Sequence, residues 1–276
     1  MSPTTPVIPS LEAVAFIGGG QMALALAEGF SAAGLVATES ITVYDPAPAA
    51  RERLATRLPG INLASTAAGA ASTADLVWLA VKPQQAAAAC REIAGLLADR
   101  TLVSIAAGLS TATLTAMAGT PRVVRVMPNT PCLVGSGVSV LCRTEAVSEA
   151  AILRVRTLLA SVGHVHEADE RLLDAVTGLS GSGPGFLALV TEALADGGVQ
   201  AGLPRPLALS LAVQTLAGTG LLLERTGEHP AVIKDRVASP GGTTVAGLAV
   251  LEERGVRSAI IDAVVAATRR AAELGG

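Results

Sequence analysis

The first half of the chain alternates short hydrophobic runs with longer segments of helical periodicity, and no other feature of the sequence restricts the fold as much. Compact runs rich in Val, Ile and Leu predict strands at residues 13–17, 41–44, 76–81, 102–106 and 123–127. Helices are predicted between them at residues 21–33, 47–58, 84–97 and 111–118, and a strand near 137–141 and a helix at 148–161 extend the series. This alternation predicts a Rossmann-type α/β fold, with a doubly wound parallel sheet covered by helices.

After residue 166 the strand-like runs stop and Ala- and Leu-rich helical segments follow. Helices are predicted at residues 169–177, 184–201, 205–225, 230–237, 243–254 and 257–274. We therefore expect a mobile tail over residues 1–12, a dinucleotide-binding domain over 13–167 and an all-α domain over 168–276. Helices this apolar must be buried on most faces, and in a small domain this favours dimerisation with a second chain.

Composition excludes several classes of function. Twenty basic and 23 acidic residues give a net charge of −3, so no nucleic-acid footprint is expected. Cys90, Cys132 and Cys142 are too scattered for a disulfide framework or a metal site, and we expect them to be packing residues. Charge-free runs at residues 101–121 and 206–223 are interrupted by polar residues, which argues against a membrane span. The start of the chain carries no export pattern, so a cytoplasmic location is expected.

A glycine-rich turn follows the first predicted strand. Ile17 is succeeded by Gly18, Gly19, Gly20, Gln21, Met22 and Ala23, a G-x-G-x-x-A turn that opens a helix. In a dinucleotide site the first glycine allows a tight turn, the second lets a pyrophosphate approach the backbone, and the alanine lets helix and strand pack closely. The alternative is a glycine-rich turn without a ligand.

The second predicted strand ends at Asp45, whose carboxylate is suited to the ribose hydroxyls of an adenosine. This favours NADH. A 2′-phosphate would be repelled unless Arg51 or Arg53 folded back to meet it. The alternative is that Asp45 and Pro46 cap the following helix.

Other strand ends supply further candidate cofactor residues, because ligands of open α/β sheets bind at the carboxyl edge. They are Ala80, Val81, Lys82 and Pro83 after one strand, Ala106, Ala107 and Gly108 after the next, and Asn129 in the loop that follows residue 127. Lys82 would lie near the negative groups of the cofactor, unless it is simply a solvated lysine.

Residues 235–244 place two hydroxyls and flexible backbone at the start of a predicted helix. Ser239, Gly241, Gly242, Thr243 and Thr244 are candidates for binding a carboxylate or phosphate, since a helix start offers unpaired N–H groups. The alternative is an ordinary helix cap. His164 and His166, which flank a predicted strand, and His229 are expected to be surface or packing residues, so the sequence offers no His to move an alcohol proton.

Seven segments in one order resemble the pyrroline-5-carboxylate reductases, namely residues 17–22, 81–83, 106–108, 127–131, 177–184, 227–230 and 239–244. The resemblance spans nearly the whole chain and implies reduction of 1-pyrroline-5-carboxylate to L-proline by NADPH or NADH. It also implies that the helical domain interlocks two subunits, with dimers forming a decamer in many members. Residues 17–22 would bind the pyrophosphate, 80–83 and 106–108 the nicotinamide half, and 239–244 the substrate.

Two residues depart from the family pattern. Asp45 stands where some members have Ser or Thr, and Ala67 where some have an Asn that touches the cofactor. Thr244 and Ser239 are the predicted catalytic residues, with the Thr244 hydroxyl bonded to the ring nitrogen of the substrate. A reductase of another cyclic imine, a hydroxy-acid dehydrogenase and a non-catalytic dinucleotide sensor are the alternatives.

Overall fold

A computed structural model describes residues 13–275, so the tail predicted for residues 1–12 lies outside the described residues. Eight strands form one sheet in the order β3-β2-β1-β4-β5-β6-β7-β8. They are β1 (Val14–Ile17), β2 (Ile41–Tyr44), β3 (Asn62–Leu63), β4 (Leu76–Leu79), β5 (Thr101–Ser104), β6 (Val123–Met127), β7 (Gly137–Arg143) and β8 (Gly163–Glu167). The order reverses beside β1, so the predicted doubly wound sheet is confirmed.

One edge of the sheet differs from the prediction. Strands β1 to β6 are parallel, but β7 pairs antiparallel with β6, and β8 then pairs parallel with β7. The connection from β6 to β7 is too short for the helical crossover that a parallel pair requires. His164 and His166 lie within β8, so the prediction that they flank a strand was wrong.

Six helices cover the sheet: α1 (Gln21–Ala32), α2 (Pro48–Arg57), α3 (Ala67–Ala71), α4 (Pro83–Ile93), α5 (Thr111–Ala118) and α6 (Glu149–Ala160). Their starts follow local chemistry. Proline opens α2 and α4, where the missing N–H costs nothing. Ser110 and Ser148 cap α5 and α6 by accepting the amide hydrogens of Thr113 and Ala151.

Two apolar clusters fill the space between the sheet and its helices. The larger cluster contains Phe16, Phe30 and Trp78, whose ring centroids are 5.4 to 6.1 Å apart. These rings include the one tryptophan of the chain, and the rest of the two clusters is built from Ala, Val, Leu and Ile, with Cys90 and Cys132. The core therefore fixes the sheet, and with it the carboxyl edge that carries the predicted cofactor residues.

The remaining elements are helical, as predicted. They are α7 (Leu173–Val176), a π-helical turn (Thr177–Gly181), α8 (Gly183–Gln200), α9 (Arg205–Thr226), α10 (Pro230–Arg236), α11 (Thr243–Glu253) and α12 (Val256–Gly275). The chain divides into two compact units. One contains the described residues through Gly181 together with those from Ala267 onward, and the other is Ser182–Ala266.

Within the second unit, α8 and α9 pack closely because small residues face each other. Ala195, Ala208 and Ala212 are buried there, and a side chain on Gly198 would meet the Cβ of Ala208 at 3.1 Å. Many larger apolar side chains of the same helices are exposed, including Leu187, Leu207, Leu211 and Leu221. Within the part of the chain described, α9 alone has the length and composition of a membrane-spanning helix.

Candidate functional site

The glycine-rich turn presents free backbone N–H groups at the carboxyl edge of the sheet. Gly18 has φ +103°, and a Cβ there would lie 2.6 Å from the carbonyl oxygen of Ala80. A Cβ on Gly20 would have no atom within 4 Å. The first bond of α1 runs from Leu24 N to Gly20 O at 3.0 Å, so the three preceding amides have no helical partner. The turn therefore leaves space beside Gly20 and aims N–H groups and a helix dipole at it, which suits a pyrophosphate.

A cleft of about 550 Å³ extends from this turn. The predicted cofactor residues that line it are Ile17, Gly18, Gly20, Asp45, Ala80, Val81 and Lys82. Ala67, which stands where some family members have an Asn, also lines it. The other predicted residues Gly19, Gln21, Met22, Pro83, Ala106, Ala107, Gly108 and Asn129 do not line it. The cleft thus brings together part of the segment predicted for the pyrophosphate, the predicted ribose residue Asp45, and three residues predicted for the nicotinamide half, Ala80, Val81 and the exposed Lys82.

Sequence reasoning missed one wall of the cleft. Tyr44 ends β2, Pro46 and Ala47 follow it, and Gln84, Gln85, Ala88, Ala89 and Glu92 lie on α4. The spacing of the α4 residues is that of one helix face, and α4 starts directly after Lys82. That spacing, combined with the strand end before it, is the signal that could have identified them.

Asp45 is held by the backbone of the glycine turn. Its Oδ2 accepts a hydrogen bond from Gly19 N at 2.7 Å, and its Oδ1 accepts one from Ala47 N at 2.8 Å. Ala47 is the N-cap residue of α2 and makes no side-chain cap, so the Asp45 carboxylate braces the turn. A carboxylate has about four acceptor positions, so both oxygens keep capacity for ribose hydroxyls.

Two arginines of α2 fold back over the same turn. Arg53 Nη2 donates to Gly19 O at 2.9 Å, and Arg51 Nη1 donates to Asp45 O at 3.3 Å. The Nε of Arg53 is buried and has no hydrogen-bond partner within residues 13–275. Positive charge therefore lies beside Asp45, the residue predicted to bind the ribose of the adenosine.

The loop after β6 is tied to its neighbours through Asn129, whose side chain is buried. Asn129 Oδ1 accepts from Val138 N at 2.8 Å, and Nδ2 donates to Ser180 O at 3.2 Å. Both ends of the amide are thus engaged by protein. Next to it, a side chain on Gly181 would meet the Cε of Met127 at 2.5 Å, so the π-helical turn packs directly on the end of β6.

Residues 239–244 form a tight turn into α11 in the second compact unit. Gly242 N donates to Ser239 O at 2.9 Å, and Gly241 between them has φ +67°. Gly242 is the N-cap residue and has no side-chain cap, and the first bond of α11 runs from Ala246 N to Gly242 O at 3.2 Å. The amides of Thr243 and Thr244 precede that bond. A helix start without a side-chain cap keeps its N–H groups available for an anion.

The other candidate chemical groups have structural roles or are shielded. His229 Nδ1 accepts from Ala231 N at 3.2 Å and so caps α10. Burial raises the pKa of Cys90 and of Cys142 to about 11, and it also raises the pKa of Cys132. Among the residues described, no group of three or more His, Cys, Asp or Glu side chains is placed to hold a metal ion.

A doubly wound sheet with an open glycine turn and an acidic residue after β2 defines the class of protein, a nicotinamide-dinucleotide-dependent oxidoreductase. Residues 13–108 match a family model described as "NADP oxidoreductase coenzyme F420-dependent". Residues 170–274 match a family model described as "Pyrroline-5-carboxylate reductase dimerisation". The pyrroline-5-carboxylate reductase of Synechocystis is 45% identical over 259 residues, covering 94% of this chain and 97% of that protein. The chain belongs to the pyrroline-5-carboxylate reductase family.

Other relatives agree over their whole length. The pyrroline-5-carboxylate reductase of Arabidopsis thaliana is 44% identical over 262 residues, with 95% of each chain covered. The crystal structure of Plasmodium falciparum pyrroline carboxylate reductase with NADP bound has a TM-score of 0.88 at 33% identity, covering 96% of this chain and 100% of that one. The Coxiella burnetii pyrroline-5-carboxylate reductase also has a TM-score of 0.88, at 31% identity, covering 97% of this chain and 99% of that one. The resemblance read from the motifs is therefore confirmed.

Proposed function

We propose that this chain reduces 1-pyrroline-5-carboxylate to L-proline with NAD(P)H, the last step of proline biosynthesis. The observation that carries the proposal is the open N-terminus of α1 beside Gly20, continuous with the cleft that contains Asp45 and Lys82. Membership of the family supplies the substrate. Steady-state oxidation of NADPH and of NADH with pyrroline-5-carboxylate tests it, and absence of turnover with both would overturn it. In the reverse direction, oxidation of 3-hydroxyisobutyrate but not of proline would favour a hydroxy-acid dehydrogenase.

The pyrophosphate is held at the turn of residues 17–22 by the backbone amides of Gly20, Gln21 and Met22, with Lys82 as a cation at the edge of the cleft. The amides of Gly18 and Gly19 are already engaged, since they donate to Tyr44 O and to Asp45 Oδ2. The absence of any contact for a Cβ on Gly20 supports this fit, since that is the space a phosphate would take. The segments Ala80–Pro83 and Ala106–Gly108, with Asn129 from the loop after β6, receive the nicotinamide half. The bound cofactor supplies the hydride.

Residues 239–244 hold the substrate. The amides of Thr243 and Thr244 bind its carboxylate, and the Thr244 hydroxyl bonds the ring nitrogen. The Gly242 amide, predicted for the same role, already donates to Ser239 O, so Ser239, Gly241 and Gly242 shape the turn. An iminium carbon is already electrophilic, so positioning supplies most of the catalysis and no His or Lys is needed.

Thr244→Ala should lower kcat/KM for pyrroline-5-carboxylate by roughly tenfold or more, because one oriented hydrogen bond to a charged ring is lost. The thermal midpoint should stay unchanged. Thr219→Ala is the matched control, since Thr219 is exposed and its hydroxyl donates to the carbonyl oxygen of Thr215 in its own helix at 2.8 Å. Unchanged turnover and substrate affinity in Thr244→Ala would remove the proposed role.

Both cofactors are accepted at the adenosine end. Asp45 favours the ribose of NADH and repels a 2′-phosphate, whereas Arg51 and Arg53 lie beside it and supply positive charge. The NADP bound to the Plasmodium falciparum relative supports acceptance of the phosphorylated cofactor.

Replacement of Asp45 by Ser should raise the ratio of kcat/KM for NADPH over NADH by roughly tenfold, because a like charge beside the 2′-phosphate is removed. Steady-state kinetics with the two cofactors measures that ratio. Asp75→Ser is the control, because it removes a carboxylate from another turn of the same domain. The Asp75 side chain is exposed and pairs with Arg154 at 3.8 Å. A ratio unaffected by Asp45→Ser would exclude Asp45 as the selector.

The helical domain, residues 168–276, forms a homodimer, and dimers assemble further into a decamer in the cytoplasm. The exposed leucines of α8 and α9 support the dimer, because a second copy of the chain would cover them. We propose no membrane partner and no nucleic-acid partner for this surface. The family model of the dimerisation region, residues 170–274, supports the dimer.

A further inference from the structure

A buried arginine on β6 joins two carboxylates from the segment that precedes the π-helical turn. Arg125 exposes 7% of its side chain, and its Nη1 and Nη2 lie 3.4 Å from Glu170 Oε1 and 3.2 Å from Asp174 Oδ1. A guanidinium presents two donors in a fixed fork, so it orients both carboxylates at once. Glu170 thereby acquires a defined position although its own side chain is about one third exposed.

Glu170 in turn holds the first residue of α5. Its Oε1 accepts from Thr111 N at 2.5 Å, and its Oε2 accepts from Thr111 Oγ1 at 2.6 Å. Partial burial alone would raise the pKa of Glu170, but the hydrogen bonds from Thr111 and Arg125 outweigh it and hold the pKa below its usual value. The carboxylate is therefore ionised at neutral pH and accepts both bonds continuously.

The held residue, Thr111, lies three residues after Gly108, the end of a candidate cofactor segment. Ala106, Ala107 and Gly108 connect β5 to α5, and Gly108 has φ +78°. Ser110 already caps α5 by accepting from Thr113 N at 3.0 Å, so the helix start does not require Glu170 for its own cap. Glu170 instead connects the end of this loop to β6, because it binds Thr111 and Arg125 at the same time.

The same arrangement reaches the loop after β6. Arg125 lies two residues before Met127, against which Gly181 packs, and Asn129 bonds the carbonyl of Ser180. Segments 106–111, 125–129 and 170–181 are thus linked by Arg125, Glu170 and Asn129, all in the first compact unit.

We propose that Glu170, oriented by Arg125, is a positioning residue that fixes the Ala106–Gly108 loop for the nicotinamide half of the cofactor. This inference rests on the proposed function, which assigns that loop to the nicotinamide. The adenosine end, formed by Asp45 and the glycine turn, is braced by other contacts and does not depend on Glu170.

The test compares two ligands of the same cleft. Glu170→Gln removes the charge and replaces one of the two oxygens that accept from Thr111 with an NH2 group, which cannot accept a hydrogen bond. We expect it to weaken binding of NADPH and NADH by about tenfold, since small displacements of a positioning loop have effects of that order or larger. Binding of ADP-ribose, which lacks the nicotinamide, should remain at the wild-type value. Fluorescence titration of the full chain measures both without substrate.

Two variants of Thr111 distinguish loss of the hydrogen bond to Glu170 from a general effect on folding. Thr111→Val removes only the hydroxyl donor and should weaken NADPH binding in the same direction, whereas Thr111→Ser keeps it and should restore wild-type binding. Glu149→Gln is the matched control, because it removes an equivalent carboxylate from an exposed pair with Arg143 at 2.7 Å.

Equal losses for NADPH and ADP-ribose, or unchanged binding of both, would overturn the positioning role. Wild-type protein that binds NADPH yet fails to turn over pyrroline-5-carboxylate would count against the proposed function alone, because the ligand comparison needs no turnover.

Discussion

At the scale of single residues, Gly18 and Gly20 differ although they belong to one turn. Gly18 has φ +103° and no room for a Cβ, because the backbone of Ala80 is 2.6 Å away. Gly20 has extended backbone and an open side, so only a bound ligand would exclude a methyl group there. The first glycine is required by the fold and the second by the proposed cofactor.

The two alanine substitutions should therefore separate stability from binding. Gly18→Ala should lower the free energy of unfolding by about 2–4 kcal/mol, from left-handed strain and overpacking. Gly20→Ala should leave the thermal midpoint within about 2 °C of wild type. It should nonetheless raise KM for NAD(P)H roughly tenfold, because the methyl group occupies the approach to the backbone amides. Thermal denaturation and steady-state kinetics measure the two effects. Normal cofactor affinity in Gly20→Ala would contradict the pyrophosphate assignment.

Much of the candidate site could be predicted at this scale, because each residue type has a local role. Glycine at the first βα turn and Asp45 at a strand end follow from backbone geometry and charge. Arg125 and Glu170 could not be predicted in this way. They are 45 residues apart in sequence, and only the sheet brings them together.

At the scale of elements, the sequence predicted strands and helices where apolar periodicity is strong. Two strands were poorly predicted for physical reasons: β3 was missed, and β8 was indicated only as a strand flanked by His164 and His166. Strand β3 has two exposed residues, Asn62 and Leu63, and β8 alternates exposed His164, His166 and Glu167 with Val165. A strand that buries little apolar surface leaves little pattern to read. The antiparallel β7 could have been inferred from its short connection.

The pairing of β7 with β8 depends on one glycine. Gly163 has φ +146°, and a Cβ there would lie 1.9 Å from the carbonyl oxygen of Gly137. Gly163→Ala should destabilise the chain by about 3 kcal/mol or more, because the strain and the clash have to be relieved by separating the strands. Chemical denaturation measures this loss. Gly95→Ala is the control, since a Cβ at Gly95 meets nothing within 4 Å, and equal stabilities of the two variants would contradict the account.

At the scale of the whole molecule, the two compact units differ in how many of their large apolar side chains are exposed. The sheet unit buries its large residues in two clusters, whereas Ser182–Ala266 leaves many leucines and valines exposed on its helices. Sequence composition predicted that such helices need a partner, but which faces stay exposed is set by the packing of α8 on α9.

Assembly should respond to a charge on the exposed face of α9. Leu211 is 46% exposed, and Leu211→Glu should shift the chain towards monomer, because burying an unpaired carboxylate at a subunit interface is costly. Leu153, on α6 and 65% exposed, provides the control Leu153→Glu. Size-exclusion chromatography with light scattering measures the masses. An unchanged mass for Leu211→Glu would place the interface elsewhere.

The exposed face of α8 and α9 also has a consequence during synthesis. A newly made subunit exposes this apolar surface from the time its helices form until a second subunit binds. During that interval it is prone to aggregate. The lifetime of that interval depends on the concentration of sibling chains. Soluble yield should therefore depend on expression rate and on chaperone supply, even though the sheet unit has its own core.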